Sequence, residues 1–208
     1  MRILEYPYTP KLLRMQSDDK RAGTLWTNAG KSLNNYQLYI KNKKQKFLLT
    51  IVDLLYISNF KGGNASIHED EKIVNKKLSS YSALLESISN KFKEKTLDQL
   101  NKIQTTELVD IANEFLMLTS NQESKIYGFK ASYASALLHA YFPNLIPILD
   151  RRVLNGLGLV SSSKSIKNIH RHMKPLIKRM QHEIKSSGKT IRSLDQVYFG
   201  KSIVKTTA

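Results

Sequence analysis

The sequence predicts an all-α protein. No segment sustains the alternation of β-branched and polar residues that is typical of strands, whereas apolar residues recur at helical spacing along most of the chain. The 208 residues are 41% hydrophobic and 9% aromatic, which is enough to bury a core. We therefore expect one helical domain with about eight or nine helices.

The first predicted helix spans residues 46–58 and is apolar nearly all round. That pattern is typical of a helix at the buried centre of a fold. Its single charged residue, Asp53, is expected at the exposed edge of the helix. An amphipathic helix follows over residues 69–92, with apolar side chains on one face.

Residues 96–118 are predicted to hold two shorter helices. Thr96 is expected to cap the first, and Thr105 or Thr106 the second, because a threonine oxygen can accept from free backbone N–H groups. Further helices are predicted over residues 132–141, 150–157, 162–185 and 191–204.

The charge of the chain is strongly basic. It carries 33 Lys and Arg against 17 Asp and Glu, a net charge of +16, and the excess is largest in residues 160–208, with eleven basic residues and two acidic ones. This predicts a polyanionic partner, either nucleic acid or an anionic membrane surface. The absence of cysteine excludes disulfides, cysteine-bound zinc, iron–sulfur clusters and thiol nucleophiles.

Targeting and metal-binding signals are also lacking. No apolar run approaches the roughly 20 residues that span a bilayer, and the first residues do not follow the pattern of a signal peptide. We therefore expect a cytoplasmic protein, associated with the nucleoid if it is bacterial. The five histidines show no spacing typical of metal ligands, so neither a metal nor another cofactor is expected.

Residues 124–160 carry the pattern that most suggests chemistry. Gly128 can adopt a positive φ in an apolar turn, and the free N–H groups of the helix that follows are suited to bind a phosphate. The apolar run before Asp150 predicts a partly desolvated carboxylate, as in tuned catalytic acids. Asp150 is equally a favoured N-cap for the next helix, and the two interpretations are compatible.

Residues 127–134 (YGFKASYA) and 147–153 (PILDRRV) resemble the helix–hairpin–helix DNA glycosylase superfamily. The separation of eighteen residues between Ser132 and Asp150 agrees with the resemblance. A weaker similarity extends to residues 47–67, which resemble the helix and loop that probe the base opposite the lesion. It also extends to residues 193–199, which resemble a C-terminal helix of the 8-oxoguanine branch. The resemblance implies a two-lobed helical glycosylase fold in a single domain. The central lobe would comprise residues 31–155, and residues 1–30 with 156–208 would form the second lobe.

The implied function is a DNA glycosylase that flips a base out of double-stranded DNA and hydrolyses its N-glycosidic bond, leaving an abasic site. The resemblance implies a monomer without a membrane partner, and the absence of cysteine excludes the iron–sulfur cluster that some branches of the family carry. Asp150 would stabilise the developing sugar cation and activate water. The implied DNA contacts are Gly128, Ser132, Arg152, Asn59, Lys61 and Asn64, and the implied base pocket comprises Trp26, Tyr198 and Phe199.

The chain departs from the family at the hairpin. Ser132 occupies the position of the Schiff-base lysine, as in the adenine-excising branch, which predicts a monofunctional enzyme. Lys130 replaces the second hairpin glycine, either as a surface lysine facing phosphate or as an amine nucleophile of a bifunctional glycosylase/lyase.

Other functions stay open at this point. One is a non-catalytic helix–hairpin–helix DNA-binding protein. Another is a helical regulator that binds membrane lipid or RNA through its basic C-terminal third. The excised base (an oxidised purine, a misplaced adenine or a bulky modified base) is open as well, as is a role in repair or in defence against foreign DNA.

Overall fold

The computed structural model describes residues 10–63, 67–161 and 166–206. These ranges contain eight α-helices, two short 3₁₀ turns and no strand, which confirms the all-α prediction. The helices are α1 (Pro10–Asn42), α2 (Ile51–Phe60), α3 (Glu71–Phe92), α4 (Lys102–Met117), α5 (Ala131–Tyr141), α6 (Arg151–Gly156), α7 (Met173–Ser187) and α8 (Ile191–Thr206). None of the described helices combines the length and apolarity needed to cross a bilayer.

Local capping explains where helices begin. The 3₁₀ turn begins after Thr96, as predicted. The cap of α4 is Asn101, whose side chain accepts from the Gln104 N–H at 2.9 Å. The prediction of Thr105 or Thr106 as this cap is wrong. Both threonines lie inside α4, and their hydroxyls donate to backbone carbonyls one turn earlier.

The longest helix, α1, has 33 residues and was not predicted from the sequence. Two interior glycines, Gly23 and Gly30, lower its intrinsic helix propensity, and its apolar residues are sparse. Contacts with α2, α5 and α8 hold it in place. Because α1 reaches both α2 and α8, it brings an N-terminal segment against the C-terminal helix.

The buried centre of the fold is α5 rather than α2. Nine of the eleven residues of α5 are buried, and their many Ala and Ser side chains let neighbouring helices approach closely. In α2, Val52 and Leu55 are 39% and 58% exposed, so the prediction of a central helix over residues 46–58 is wrong. The apolar residues around α2 predict a helix that is buried on every side. That inference fails because single apolar side chains are also common on protein surfaces.

Asp53 is fully buried, which contradicts its predicted place at an exposed edge. Its carboxylate accepts from the Tyr36 hydroxyl at 2.9 Å and forms an ion pair with Lys43, also at 2.9 Å. The Thr50 N–H donates to it at 2.9 Å, which caps α2, and the Tyr141 hydroxyl lies 3.2 Å away. This network joins α1, α2 and α5. Burial, followed by the Asp53 charge, raises the pKa of Tyr36.

The buried apolar side chains of the described residues form one cluster that includes members of both predicted lobes. The division into residues 31–155 and 1–30 with 156–208 therefore stays a prediction.

Candidate functional site

A cavity of about 590 Å³ lies between α1, α2, α6 and α8. That volume is within the range of small-molecule sites. Six residues predicted for the site line it: Trp26, Asn59, Lys61, Asp150, Arg152 and Phe199. They come from four separate elements, so the cavity is assembled only by the tertiary fold.

Asp150 is both the N-cap of α6 and a largely buried carboxylate, the two properties predicted for it. Its Oδ1 accepts from the Arg152 N–H at 2.8 Å, which caps α6, and its Oδ2 forms an ion pair of 2.6 Å with Lys61 Nζ. The side chain is 22% exposed, on the cavity wall. Burial raises the pKa of this carboxyl, but the Lys61 ammonium and the Arg152 N–H outweigh that effect. The pKa therefore lies below its ordinary value, and the group is ionised at neutral pH.

The segment before Asp150 is fixed to α5 by buried hydrogen bonds. Ser135 Oγ accepts from the Leu149 N–H at 2.9 Å, and His139 Nδ1 lies 2.7 Å from the Ile146 carbonyl. Burial lowers the pKa of His139 to about 4, so its imidazole is neutral and structural. These two contacts tie the apolar run to α5 directly before Asp150 and so help to position that residue.

Lys61 reaches the cavity from the end of α2. It occupies the C-cap position, and Gly62 and Gly63 follow with φ values of 87° and 72°. These positive φ values favour glycine, which turns the chain away after Lys61. The Lys61 side chain is only 15% exposed. Its approach to Asp150 joins residues that lie 89 positions apart in sequence.

Aromatic rings and guanidinium groups form one wall of the cavity. The Trp26 and Phe199 rings lie 5.6 Å apart, in a tilted arrangement. The Arg192 guanidinium lies 3.8 Å from the centre of the Trp26 ring, and that of Arg152 lies 5.0 Å from the centre of the Phe199 ring. Such contacts combine cation–π attraction with a flat surface.

Asp195 and Arg192 are site residues that sequence reasoning missed. Asp195 lines the cavity at 1% exposure, and neither of its carboxyl oxygens has a hydrogen-bond partner among the described residues. One terminal nitrogen of Arg192 is also buried without a partner. Together with Phe199 these residues follow the i, i+3, i+7 spacing of one helical face, which is the signal that could have found them.

Burial raises the pKa of Asp195 to about 8, and the Asp150 carboxylate adds to this while Arg192 and Lys61 oppose it. Asp195 is therefore a neutral acid at pH 7. Its protonated carboxyl can donate one hydrogen bond and accept others, and none of these is made with the described residues. Because unpartnered buried polar groups are costly, this arrangement points to a ligand that completes them.

The raised pKa of Asp195 predicts that the stability of the protein depends on pH. The pKa of the Asp195 carboxyl is 3.8 in the unfolded chain and about 8 in the folded protein. Between these two pH values the folded protein therefore holds one proton more than the unfolded chain. Stability should therefore fall as pH rises through that window. In Asp195→Asn, which has no proton to lose, we expect the Tm to fall less than in the wild type between about pH 5 and about pH 8. Asp110→Asn, on the exposed face of α4, is the matched control. Equal Tm changes in all three proteins would contradict a buried, protonated Asp195.

Tyr198 does not line the cavity, unlike its neighbour Phe199. It is buried on another side of α8, with the Lys201 ammonium 4.9 Å from the centre of its ring. Its carbonyl oxygen would collide with a Cβ placed on Gly156. Only glycine therefore allows α6 and α8 to approach this closely, and this contact sets Asp195 and Phe199 opposite Asp150.

The hairpin residues lie outside the cavity wall. Gly128 adopts a φ of 83°, as the turn requires. Lys130 is exposed and occupies the N-cap position of α5, and Ser132 lies in the first turn of that helix. The Ser132 carbonyl accepts from Ser135 Oγ, which itself accepts from the segment next to Asp150. The hairpin is thus connected to the cavity, but the structure does not bring Lys130 into it. Asn64 lies outside the described residues.

The described residues contain no group of three or more His, Asp or Glu arranged to hold a metal ion. Comparison of the chain with protein-family models, curated proteins and solved structures finds no significant match. Its function is therefore inferred from the chemistry of the cavity.

Proposed function

We propose that the protein is a DNA N-glycosylase with its active site in the cavity around Asp150. One observation carries the proposal. An ionised carboxylate lies beside a cation in a pocket that also holds aromatic rings and unpartnered polar groups. A net charge of +16 supports a polyanionic substrate.

Asp150 is the group proposed to act on the sugar. Cleavage of an N-glycosidic bond develops positive charge on the sugar, and a nearby carboxylate stabilises that charge. The same carboxylate can orient the water that attacks C1′. The low pKa of Asp150 suits both roles, because each needs the ionised form at neutral pH.

The opposite wall would bind the flipped base. A nucleobase presents a flat face and a polar edge. Phe199 and Trp26 offer aromatic surface, and the unpartnered groups of Asp195 and Arg192 offer hydrogen bonds to the edge. A site whose polar groups are completed only by the right base rejects bases that leave those groups unpaired. Flipping costs a few kcal/mol, which contacts of this kind offset.

DNA phosphate would bind outside the cavity, at the hairpin between α4 and α5. We propose that this segment is a helix–hairpin–helix motif in a two-lobed glycosylase fold. The turn at Gly128 leads to the N-terminus of α5, where free N–H groups attract phosphate. The exposed Lys130 adds positive charge there. Lys61 and Asn59, near the Gly-Gly turn, would lie against the strand from which the base is flipped.

The proposal is tested by release of free base. Purified protein is incubated with duplexes that carry oxidised, alkylated, deaminated or bulky modified bases, or an adenine opposite a wrong base, and mass spectrometry detects any base set free. We expect one class of base to be released, in amounts matching the abasic sites formed. Asp150→Asn is the control for a contaminating enzyme. Salt-sensitive DNA binding without release of any base would instead indicate a non-catalytic DNA-binding protein.

A further inference from the structure

The outer face of α2 exposes three apolar side chains that are close together in sequence. Val52 and Leu55 are 39% and 58% exposed, and because they lie three residues apart they share one face of the helix. Leu48, three residues before the start of the helix, is 50% exposed. A single exposed leucine needs no explanation, whereas neighbouring apolar side chains that are exposed together are typical of a binding surface. We call Leu48, Val52 and Leu55 the α2 patch.

The charge beside the α2 patch is positive. Residues 41–61 contain five lysines and one acid, and that acid, Asp53, is fully buried. Lys44 and Lys46, in the connection that leads to Leu48, are both exposed. Neither of them forms an ion pair with a described residue. Their ammonium groups are therefore available to acidic groups of another molecule.

The connection that carries these lysines is tied to α2 by buried and partly buried contacts. Lys43 Nζ donates to the Leu48 carbonyl at 2.6 Å and pairs with the Asp53 carboxylate at 2.9 Å. Asp53 in turn accepts from the Thr50 N–H at the start of the helix, also at 2.9 Å. The apolar and the basic parts of this surface are therefore arranged before a partner arrives, which lowers the entropic cost of binding.

We propose that the α2 patch is a docking surface for a short amphipathic helix of another protein, one with acidic residues beside its apolar face. Such a helix presents apolar side chains every three or four residues, which is also the spacing of the exposed side chains in the patch. Its acidic residues would pair with Lys44 and Lys46, and this complementarity favours one orientation of the bound helix. The seven positions from Leu48 to Leu55 correspond to about two helical turns, which suits a short segment rather than a folded domain.

Other occupants fit this surface less well. A second copy of the chain would bring a further net charge of +16, and three side chains fall short of the roughly 800 Å² that each partner buries in a stable complex. Duplex DNA presents phosphates on its outside, and aliphatic side chains gain nothing from contact with them. Three aliphatic side chains also offer less apolar area than one myristoyl chain, which by itself binds a membrane only marginally.

The position of the α2 patch indicates what docking would achieve. Asn59 lies four residues after Leu55 on the same face of α2, and it lines the cavity. A helix on the patch would therefore lie beside the cavity without having to enter it. Docking would thus bring the protein to its partner and leave the proposed DNA site open.

The test measures binding of a fluorescein-labelled synthetic helix that has leucines on one face and glutamates beside them. Two matched helices carry serines in place of the leucines, or lysines in place of the glutamates. Fluorescence anisotropy gives the Kd of each at about 0.15 M salt, where non-specific attraction between charges is screened. We expect the first helix alone to bind to the full chain.

Variants of the protein locate the binding surface. The double variant Val52→Ser with Leu55→Ser should weaken binding by about tenfold or more, because both apolar contacts are lost. The double variant Lys44→Gln with Lys46→Gln should weaken it by about threefold, since exposed ion pairs contribute less. Ile103→Ser, at an apolar residue of α4 that is 72% exposed, is the matched control and should bind like the wild type. All five substituted side chains are exposed, so each variant should keep the wild-type Tm.

Three results would overturn the inference: no binding of the acidic helix, equal binding by Val52→Ser with Leu55→Ser, or equally tight binding of the helix that carries serines. Vesicles of phosphatidylglycerol test the lipid alternative. Vesicle binding that the same double variant abolishes, without binding of the helix, would assign the patch to a membrane. Sedimentation of the wild type as a dimer, and of this variant as a monomer, would assign it to a second copy. No DNA is present, so failure here leaves the proposed glycosylase untouched, and failure of base release leaves the docking surface untouched.

Discussion

Asp150→Asn is expected to reduce the rate of base release by about 10²- to 10⁴-fold, the range typical of a lost catalytic acid or base. The asparagine side-chain oxygen can still accept from the Arg152 N–H, so α6 keeps its cap. What disappears is the negative charge that would stabilise the sugar cation. The measurement is a single-turnover rate, which separates the chemical step from product release.

Asp150→Ala separates the structural role of this residue from its chemical role. Alanine removes the charge and the cap together, so we expect the same loss of rate and, in addition, a lower stability by about 1 kcal/mol. DNA binding should persist in both variants, because phosphate contacts supply most of the affinity. A substantial rate retained by Asp150→Asn would remove this residue from the mechanism.

Asp53→Asn is expected to be the most destabilising of the variants considered, by about 3 to 5 kcal/mol. The substitution leaves the Lys43 ammonium without its carboxylate, and the Lys43 side chain is only 8% exposed. An unpaired buried charge costs more than the ion pair contributes, because the desolvation of the remaining ion is no longer offset. The Tyr36 hydroxyl also loses its ionised acceptor.

The double variant Asp53→Asn with Lys43→Met distinguishes this explanation from a general disruption of the core. Removing both charges leaves no unpaired ion, so the double variant should recover part of the stability lost in Asp53→Asn. The free energy of unfolding is measured by chemical denaturation for the wild type, both single variants and the double variant. A loss below about 1 kcal/mol in Asp53→Asn would mean that Lys43 finds water or another partner.

Local patterns identified much of the fold and part of the candidate site. The helical spacing of apolar residues predicted seven of the eight helices, most of them with boundaries a few residues from the observed ones. The predicted start of α7 at residue 162 is wrong, because the helix begins at Met173, after a 3₁₀ turn over Ile169–His172; residues 162–165 lie outside the described residues. The predicted cap role of Asp150 is confirmed, since its carboxylate accepts from the Arg152 N–H. The sequence could predict this contact because the two residues are only two positions apart. Trp26 and Phe199 were also selected from the sequence, and both line the cavity. Their role in binding a base stays a prediction.

Errors arose where a side chain's surroundings depend on distant segments. Asp53 was predicted to be exposed because a lone charge on an apolar helix usually faces water. Its partners Tyr36 and Tyr141 come from α1 and α5, which the spacing of residues in α2 does not reveal. Helix α1 itself was missed, because packing against α2, α5 and α8 compensates for its weak propensity.

The sequence by itself determined the helical class, the basic charge, the cap at Asp150 and the aromatic residues available to a site. Each of these depends on composition or on residues within about two helical turns of one another. Only the tertiary structure decided that Lys61 rather than Lys130 meets Asp150, and that Asp195 and Arg192 face the same cavity without partners. The physical reason is that the position of a charged group inside a fold is set by packing between distant helices. Ion pairing and desolvation act through space and leave little trace in local sequence.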